Sequence, residues 1–204
     1  MVVSRYVKVQ PSRLTPFVSS DSLGAILAEV FLHPEDEMSI SSIARTTGVA
    51  QAVAHKEITR LIDARVLLDR RDGNNRLVRV NPGHPLYGPM SEIVAATYGP
   101  VPVLRDLLGG VAGVDEAFIY GSWAARRAGQ PGAWPRDIDV MVVGQLSIDD
   151  LLDVQQASRA RLSREVNVQR VSPEAWARHE DDPFLAEVAS RPIVWLVTKG
   201  GADG

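Results

Sequence analysis

The sequence predicts a two-domain protein of mixed α+β and α/β class, and three observations carry that prediction. Charge changes sign along the chain: residues 39–81 hold eight Lys and Arg against four Asp and Glu, whereas residues 82–204 hold eleven against sixteen. A net charge of −3 therefore hides a basic module joined to an acidic one. Apolar residues recur at helical spacing up to about residue 63 and then switch to two short strand-like runs. From residue 114 onward, strand-like runs alternate with helical segments, the signature of an α/β layer. The expected domains are residues 1–85 and 114–204, with a Pro- and Gly-punctuated helical connector at 86–113.

The elements follow in order. In "DSLGAILAEVFLH" (21–33), Leu23, Ile26, Leu27, Val30 and Phe31 form one apolar stripe, and His33-Pro34 ends the helix. Two helices are expected at about 40–47 and 50–63, separated at Gly48, the second with Ala54, Ile58, Leu61 and Ile62 inward. Strands at 66–69 and 76–80 are joined by Asp72-Gly73-Asn74-Asn75, residues suited to a hairpin turn. Helices are expected near 86–97 and 100–109. The second half reads as a strand "VDEAFIYG", a short helix at 122–128, a strand "DIDVMVVG", and a helix opened by Ser147 with Asp150 three residues on. A strand "REVNVQRV", a helix "SPEAWARH" with Pro173 at its first position, and a strand "RPIVWLV" complete it.

Composition narrows the chemistry. The chain has no Cys, which excludes disulfides, thiolate metal ligands and a thiol nucleophile, and its four His at 33, 55, 84 and 179 have no shared metal spacing. The opening residues lack a signal-peptide core, and no apolar run reaches membrane-spanning length, so a cytoplasmic protein without membrane contact is expected.

The face of the 50–63 helix opposite its core stripe carries Gln51, Ala52, His55, Lys56, Thr59 and Arg60. A helix lying in the major groove reads base edges with its N-terminal side chains while its flanks hold phosphates. Gln51 and His55 would then meet bases, and Lys56 and Arg60 phosphate, with Thr59 between them. The hairpin adds Arg70, Arg71 and Arg76, with Asn74 and Asn75 at its tip. A solvated helix face would carry similar residues. Three helices followed by a basic hairpin resemble the winged helix-turn-helix domains of small bacterial and archaeal transcriptional regulators. That resemblance rests on "SISSIARTTGVAQAVAHKEITRLIDARVLL" and the hairpin after it, and implies binding to double-stranded DNA as a homodimer.

A second constellation lies at 119–144. Gly121-Ser122 follows a strand and opens a helix, a place where backbone amides can approach an anion. Asp137 and Asp139 are two apart in a strand and so point to one side, as a pair of magnesium-binding carboxylates would. Arg126 and Arg127, one turn beyond Ser122, are candidates to hold a phosphate tail. The order strand, Gly-Ser, helix, loop, Asp-x-Asp, strand resembles the nucleotidyltransferase superfamily of the DNA polymerase β type, in its minimal bacterial and archaeal members. It implies a nucleoside triphosphate on Gly121 and Ser122, two metal ions, Mg2+, on Asp137 and Asp139, and a third carboxylate on a later strand to complete the metal site and activate the attacking hydroxyl. The matching position is Asn167, with Glu165 two residues earlier on the same face as the alternative acid. Two functions remain open: a DNA-binding transcription regulator whose second domain binds a nucleotide or a partner, and a Mg-dependent enzyme transferring a nucleoside monophosphate to a protein, RNA or small-molecule hydroxyl. A version of the second resembles antitoxin enzymes that modify a cognate toxin.

Overall fold

The structure is a computed structural model that describes residues 20–73, 75–133 and 135–199. It combines helices with two separate sheets, and the chain divides into two compact units, Met1–Thr97 and Tyr98–Gly204. Among the described residues no helix is long and apolar enough to cross a membrane.

In the first unit, α1 (Asp21–Leu32) starts where the Ser20 hydroxyl accepts from the Leu23 amide at 3.2 Å. Its stripe buries Ile26, Leu27, Val30 and Phe31. A two-residue strand β1 (Met38–Ser39), too short to show in the sequence pattern, leads into α2 (Ile40–Thr47). Ser39 caps α2 by accepting from the Ser42 amide, and Gly48 at φ +69 ends it in the left-handed conformation that only glycine adopts without strain. Next comes α3 (Gln51–Asp63), which turns Ala54 and Ile58 into the core.

Strands β2 (Leu67–Asp72) and β3 (Asn75–Val80) form the hairpin. Both run longer than the apolar pattern suggests, because β2 ends in the charged, exposed residues Asp69 to Asp72 and β3 opens on the polar Asn75 and Arg76. The antiparallel sheet order is β1-β3-β2, with Leu67, Val78 and Val80 buried. Helix α4 (Tyr87–Tyr98) follows and stacks Tyr87 on Phe31, ring centroids 6.1 Å apart.

The second unit opens with α5 (Pro100–Leu108), then β4 (Val114–Tyr120), α6 (Gly121–Arg127), β5 (Asp137–Gly144), α7 (Ile148–Leu162) and β6 (Glu165–Val171). Two short helices, α8 (Pro173–Ala177) and α9 (Pro183–Ser190), precede β7 (Val194–Val197). The expected helix "SPEAWARH" stops at Ala177, and α9 is an addition to the sequence reading. The sheet order is β6-β5-β4-β7. Only β5 and β6, joined across α7, run parallel; β4 pairs antiparallel with both β5 and β7, so the sheet is mixed.

Period-two alternation gives this sheet two apolar faces. Ala117, Ile119, Ile138, Val140, Val142, Val166 and Val168 pack with Leu104, Leu108, Val154 and Leu162. The opposite face carries Phe118, Tyr120, Met141 and Val143 against Leu185 and Val188. Asp137 and Asp139 belong to this second face, since they alternate with the buried Ile138 and Val140.

Candidate functional site

Two clusters of chemistry-bearing side chains, one per unit, answer to the sequence. In the first unit, Gln51, His55, Lys56 and Arg60 are exposed along α3, and Thr59 is half-buried with a hydroxyl that has no hydrogen-bond partner among the described residues. The cations of this region are not equivalent. Arg60 donates to Glu57 at 2.7 Å, Arg76 to Asp69 at 2.7 Å, and Arg70 grips both oxygens of Glu37.

Lys56 and Arg71 are exposed, with no ion pair among the described residues. Arg79 shares that state and was absent from the sequence reading, although alternation along β3 marks it as outward. Of the two tip residues, Asn75 is exposed and Asn74 lies outside the described residues.

In the second unit, Gly121, Asp137, Asp139 and Asn167 come together at the β4-β5-β6 end of the sheet. Strand register places Tyr120 beside Asp139 on one side, and Asn167 beside Asp139 and Glu165 beside Asp137 on the other. The Asn167 amide donates to Asp139 Oδ1 at 3.1 Å. Gly121 has φ +72, and a Cβ added there would lie 2.8 Å from Asp139 Oδ2. The glycine thus serves both a left-handed turn and the close approach of a carboxylate.

Tyr120 is largely buried, and burial, followed by the neighbouring Asp139 charge, pushes its phenol up to about 12. An exposed ring, Phe184 of α9, packs edge-on against Tyr120 with centroids 6.1 Å apart.

Other predicted members point elsewhere. Glu165 pairs with Arg159 of α7 at 2.5 Å. Arg126 donates to the carbonyls of Gln130, Pro131 and Ala133, at 2.7, 2.5 and 3.2 Å, folding the α6–β5 loop around its guanidinium. Ser122 and Arg127 are exposed. Trp134, also in this loop, lies outside the described residues.

No group of three or more His, Cys, Asp and Glu side chains suited to a metal ion forms among the described residues. The donor set is two aligned carboxylates and an amide already engaged with one of them. Such a set fits one hard cation whose remaining ligands come from phosphate oxygens and water, and does not fit a pair of metals.

No family model matches the chain, and no curated protein matches it. Among solved structures, it is similar to MepR, a transcription regulator of the Staphylococcus aureus multidrug efflux pump MepA. That match has 13% identity and a TM-score of 0.34, covering 41% of this chain and 62% of the other. A mutant S. aureus MepR bound to an oligodeoxyribonucleotide matches with 9% identity and a TM-score of 0.33, over 46% of this chain and 66% of that one. The chain thus spans slightly less than two thirds of the length of either relative.

Proposed function

We propose that this chain is a DNA-binding transcription regulator that presents α3 to the major groove. The observation that carries this reading is the exposed edge of α3, where Gln51, His55, Lys56 and Arg60 lie along one solvent face while Ala54 and Ile58 anchor the opposite one. Helices α1, α2 and α3 followed by a cationic hairpin support a winged helix-turn-helix reading, in which the hairpin would reach the neighbouring backbone. A symmetric homodimer on an inverted repeat is the expected working form.

The test is selection of duplexes from a random-sequence pool by the full chain, followed by fluorescence anisotropy across a salt series. Lys56→Gln should weaken all duplexes alike and lower the salt slope by about one, whereas Gln51→Ala and His55→Ala should relax preference at individual base pairs. Failure of every selected duplex to outcompete bulk DNA rejects the reading.

For the second unit, the pairing of Asp137 with Asp139 beside Gly121 favours a site for a nucleoside triphosphate, with a magnesium ion between the carboxylates and the phosphates. When bound, the ion would offset the two carboxylate charges and those of the phosphates. Asp137 and Asp139 would hold the ion, and Gly121 would let the Asp139 carboxylate close up against the backbone beside it. Asn167 can neither add charge nor accept a proton, and Glu165 is engaged by Arg159, so binding without transfer fits the residues best.

Calorimetry with ATP or GTP and magnesium on wild type and on Asp137→Ala/Asp139→Ala, with assay of pyrophosphate, separates the outcomes. Binding without pyrophosphate supports a nucleotide-responsive regulator. Pyrophosphate release establishes the transferase, for which a cognate toxin would be an acceptor. No binding removes the nucleotide from the proposal and leaves a protein partner for this unit.

A further inference from the structure

The three-stranded sheet of the first unit is held together from outside by a contact with no signature in the sequence. Glu37 immediately precedes β1, which pairs with β3 through only two residues, Met38↔Val78 and Ser39↔Leu77. Arg70 lies in β2, on the far side of β3, opposite Leu77. Ser39, Leu77 and Arg70 are in register across the three strands and share one face. Glu37 spans that face: Arg70 Nε donates to its two oxygens at 3.0 and 2.9 Å, and Nη2 donates to Oε2 at 2.5 Å. The hydrogen bonds from Arg70, reinforced by the charges of Arg70 and Arg79, hold the Glu37 carboxyl below the usual range.

A planar guanidinium matched to a carboxylate through Nε and Nη2 has a fixed direction, and although Nη1 keeps its N–H groups, the acid beside it offsets the charge it can offer a phosphate. Exposed ion pairs seldom contribute much to global stability. The consequence here is geometric, because a two-residue seam is otherwise the sheet's lateral tie to the segment entering α2.

We propose that Arg70 is a positioning residue, not a phosphate contact: closed on Glu37, it fixes the angle at which the hairpin is presented to DNA. The phosphates are met by Lys56, Arg71 and Arg79. This inference rests on the DNA-binding reading and refines which cations of that interface act directly.

The experiment uses the full chain, a duplex selected by the wild type, and affinities over a salt series. Glu37→Gln and Arg70→Gln should each weaken binding by about two- to fivefold with the salt slope unchanged. The charge-swapped double variant, Glu37→Arg with Arg70→Glu, should return affinity to within about twofold of wild type, because the pair is restored with its sense reversed. Lys56→Gln serves as the comparison that does lower the slope, by about 0.9.

A direct phosphate contact gives the opposite pattern: Arg70→Gln lowers the slope by about 0.9, Glu37→Gln tightens binding, and the swap is worse than either single variant. That pattern overturns the proposal while leaving DNA binding intact. A folded wild type that binds no selected duplex removes the functional reading and this inference with it. Thermal melts of each variant identify misfolding, and a swap that fails to rescue while remaining folded counts against the strut.

Discussion

The side-chain amide of Asn167 donates to Asp139 Oδ1 at 3.1 Å across the parallel seam between β5 and β6. An amide at this position neutralises nothing, yet it satisfies an oxygen of a half-buried carboxylate. It allows the unit to fold around Asp139 without a cation and limits the charge the site can offer to that of Asp137 and Asp139.

Asn167→Asp should reverse both properties. Loss of a hydrogen bond to a charged group and the new repulsion should destabilise the apo protein by about 1–3 kcal/mol. Millimolar magnesium should restore part of that loss and leave the wild type little changed, as read by thermal melts with and without the metal. A variant equally stable with and without magnesium contradicts the placement of the three side chains.

Gly121→Ala tests the close approach. Alanine at φ +72 is strained, and its Cβ would fall 2.8 Å from Asp139 Oδ2, so the carboxylate must move. A destabilisation of roughly 1–2 kcal/mol is expected from the backbone alone, together with loss of any magnesium-dependent nucleotide binding. Ser122→Ala, at an exposed position one residue later, should leave stability unchanged. Equal melting curves for Gly121→Ala and wild type would reject the geometry.

Tyr120 gives a pH signature. Its phenol titrates near 12 in the folded chain, above its ordinary value of 10.0, so the folded state retains a proton that the unfolded state has released. The associated stability is fully present below pH 10 and is lost as pH rises toward 12. Absorbance near 295 nm should show a late tyrosine titration that is absent in Tyr120→Phe. Asp139→Asn should bring that titration down, but not to its ordinary value, because burial is the larger cause.

Local chemistry was legible in the sequence, and long-range partnership was not. Ser147, with Asp150 three residues on, marks a helix start with its own side chain, and Gly48 marks a stop; the structure shows Ser39 and Ser172 capping in the same way. Helix α9 carries the same kind of mark, Asp182 before Pro183, but a run of eight residues after an acidic cluster has little periodicity to expose it. The alignment of Asp137 with Asp139 follows from strand alternation alone. That Asn167, and not Glu165, engages Asp139 depends on the β5–β6 register and on Arg159 drawing Glu165 away. Arg126 and Arg70 illustrate the same limit: a long side chain selects among carbonyls and carboxylates by distance, which residue type does not encode. Order β6-β5-β4-β7 likewise depends on pairings between segments far apart in the chain.

The end of α3 supplies the last prediction. The Arg65 amide donates to the Ile62 carbonyl at 2.8 Å and the Val66 amide to the Leu61 carbonyl at 2.9 Å, a closing pattern that requires a left-handed residue at 65. Arg65 adopts it, at φ +57, where glycine would be unstrained. Its carbonyl accepts from the Asn81 side chain at 2.8 Å, so the conformation is locked to the end of the hairpin and cannot relax without losing that bond. Replacement by glycine removes a strain of about 1–2 kcal/mol and returns part of it through greater freedom of the unfolded chain. Arg65→Gly should therefore stabilise the protein by about 0.5–1 kcal/mol, raising Tm by roughly 1–4 °C. Arg65→Ala keeps the strained backbone while deleting the same charge and should show no gain. If both variants stabilise equally, relief of charge within the basic module, and not backbone strain, is the cause.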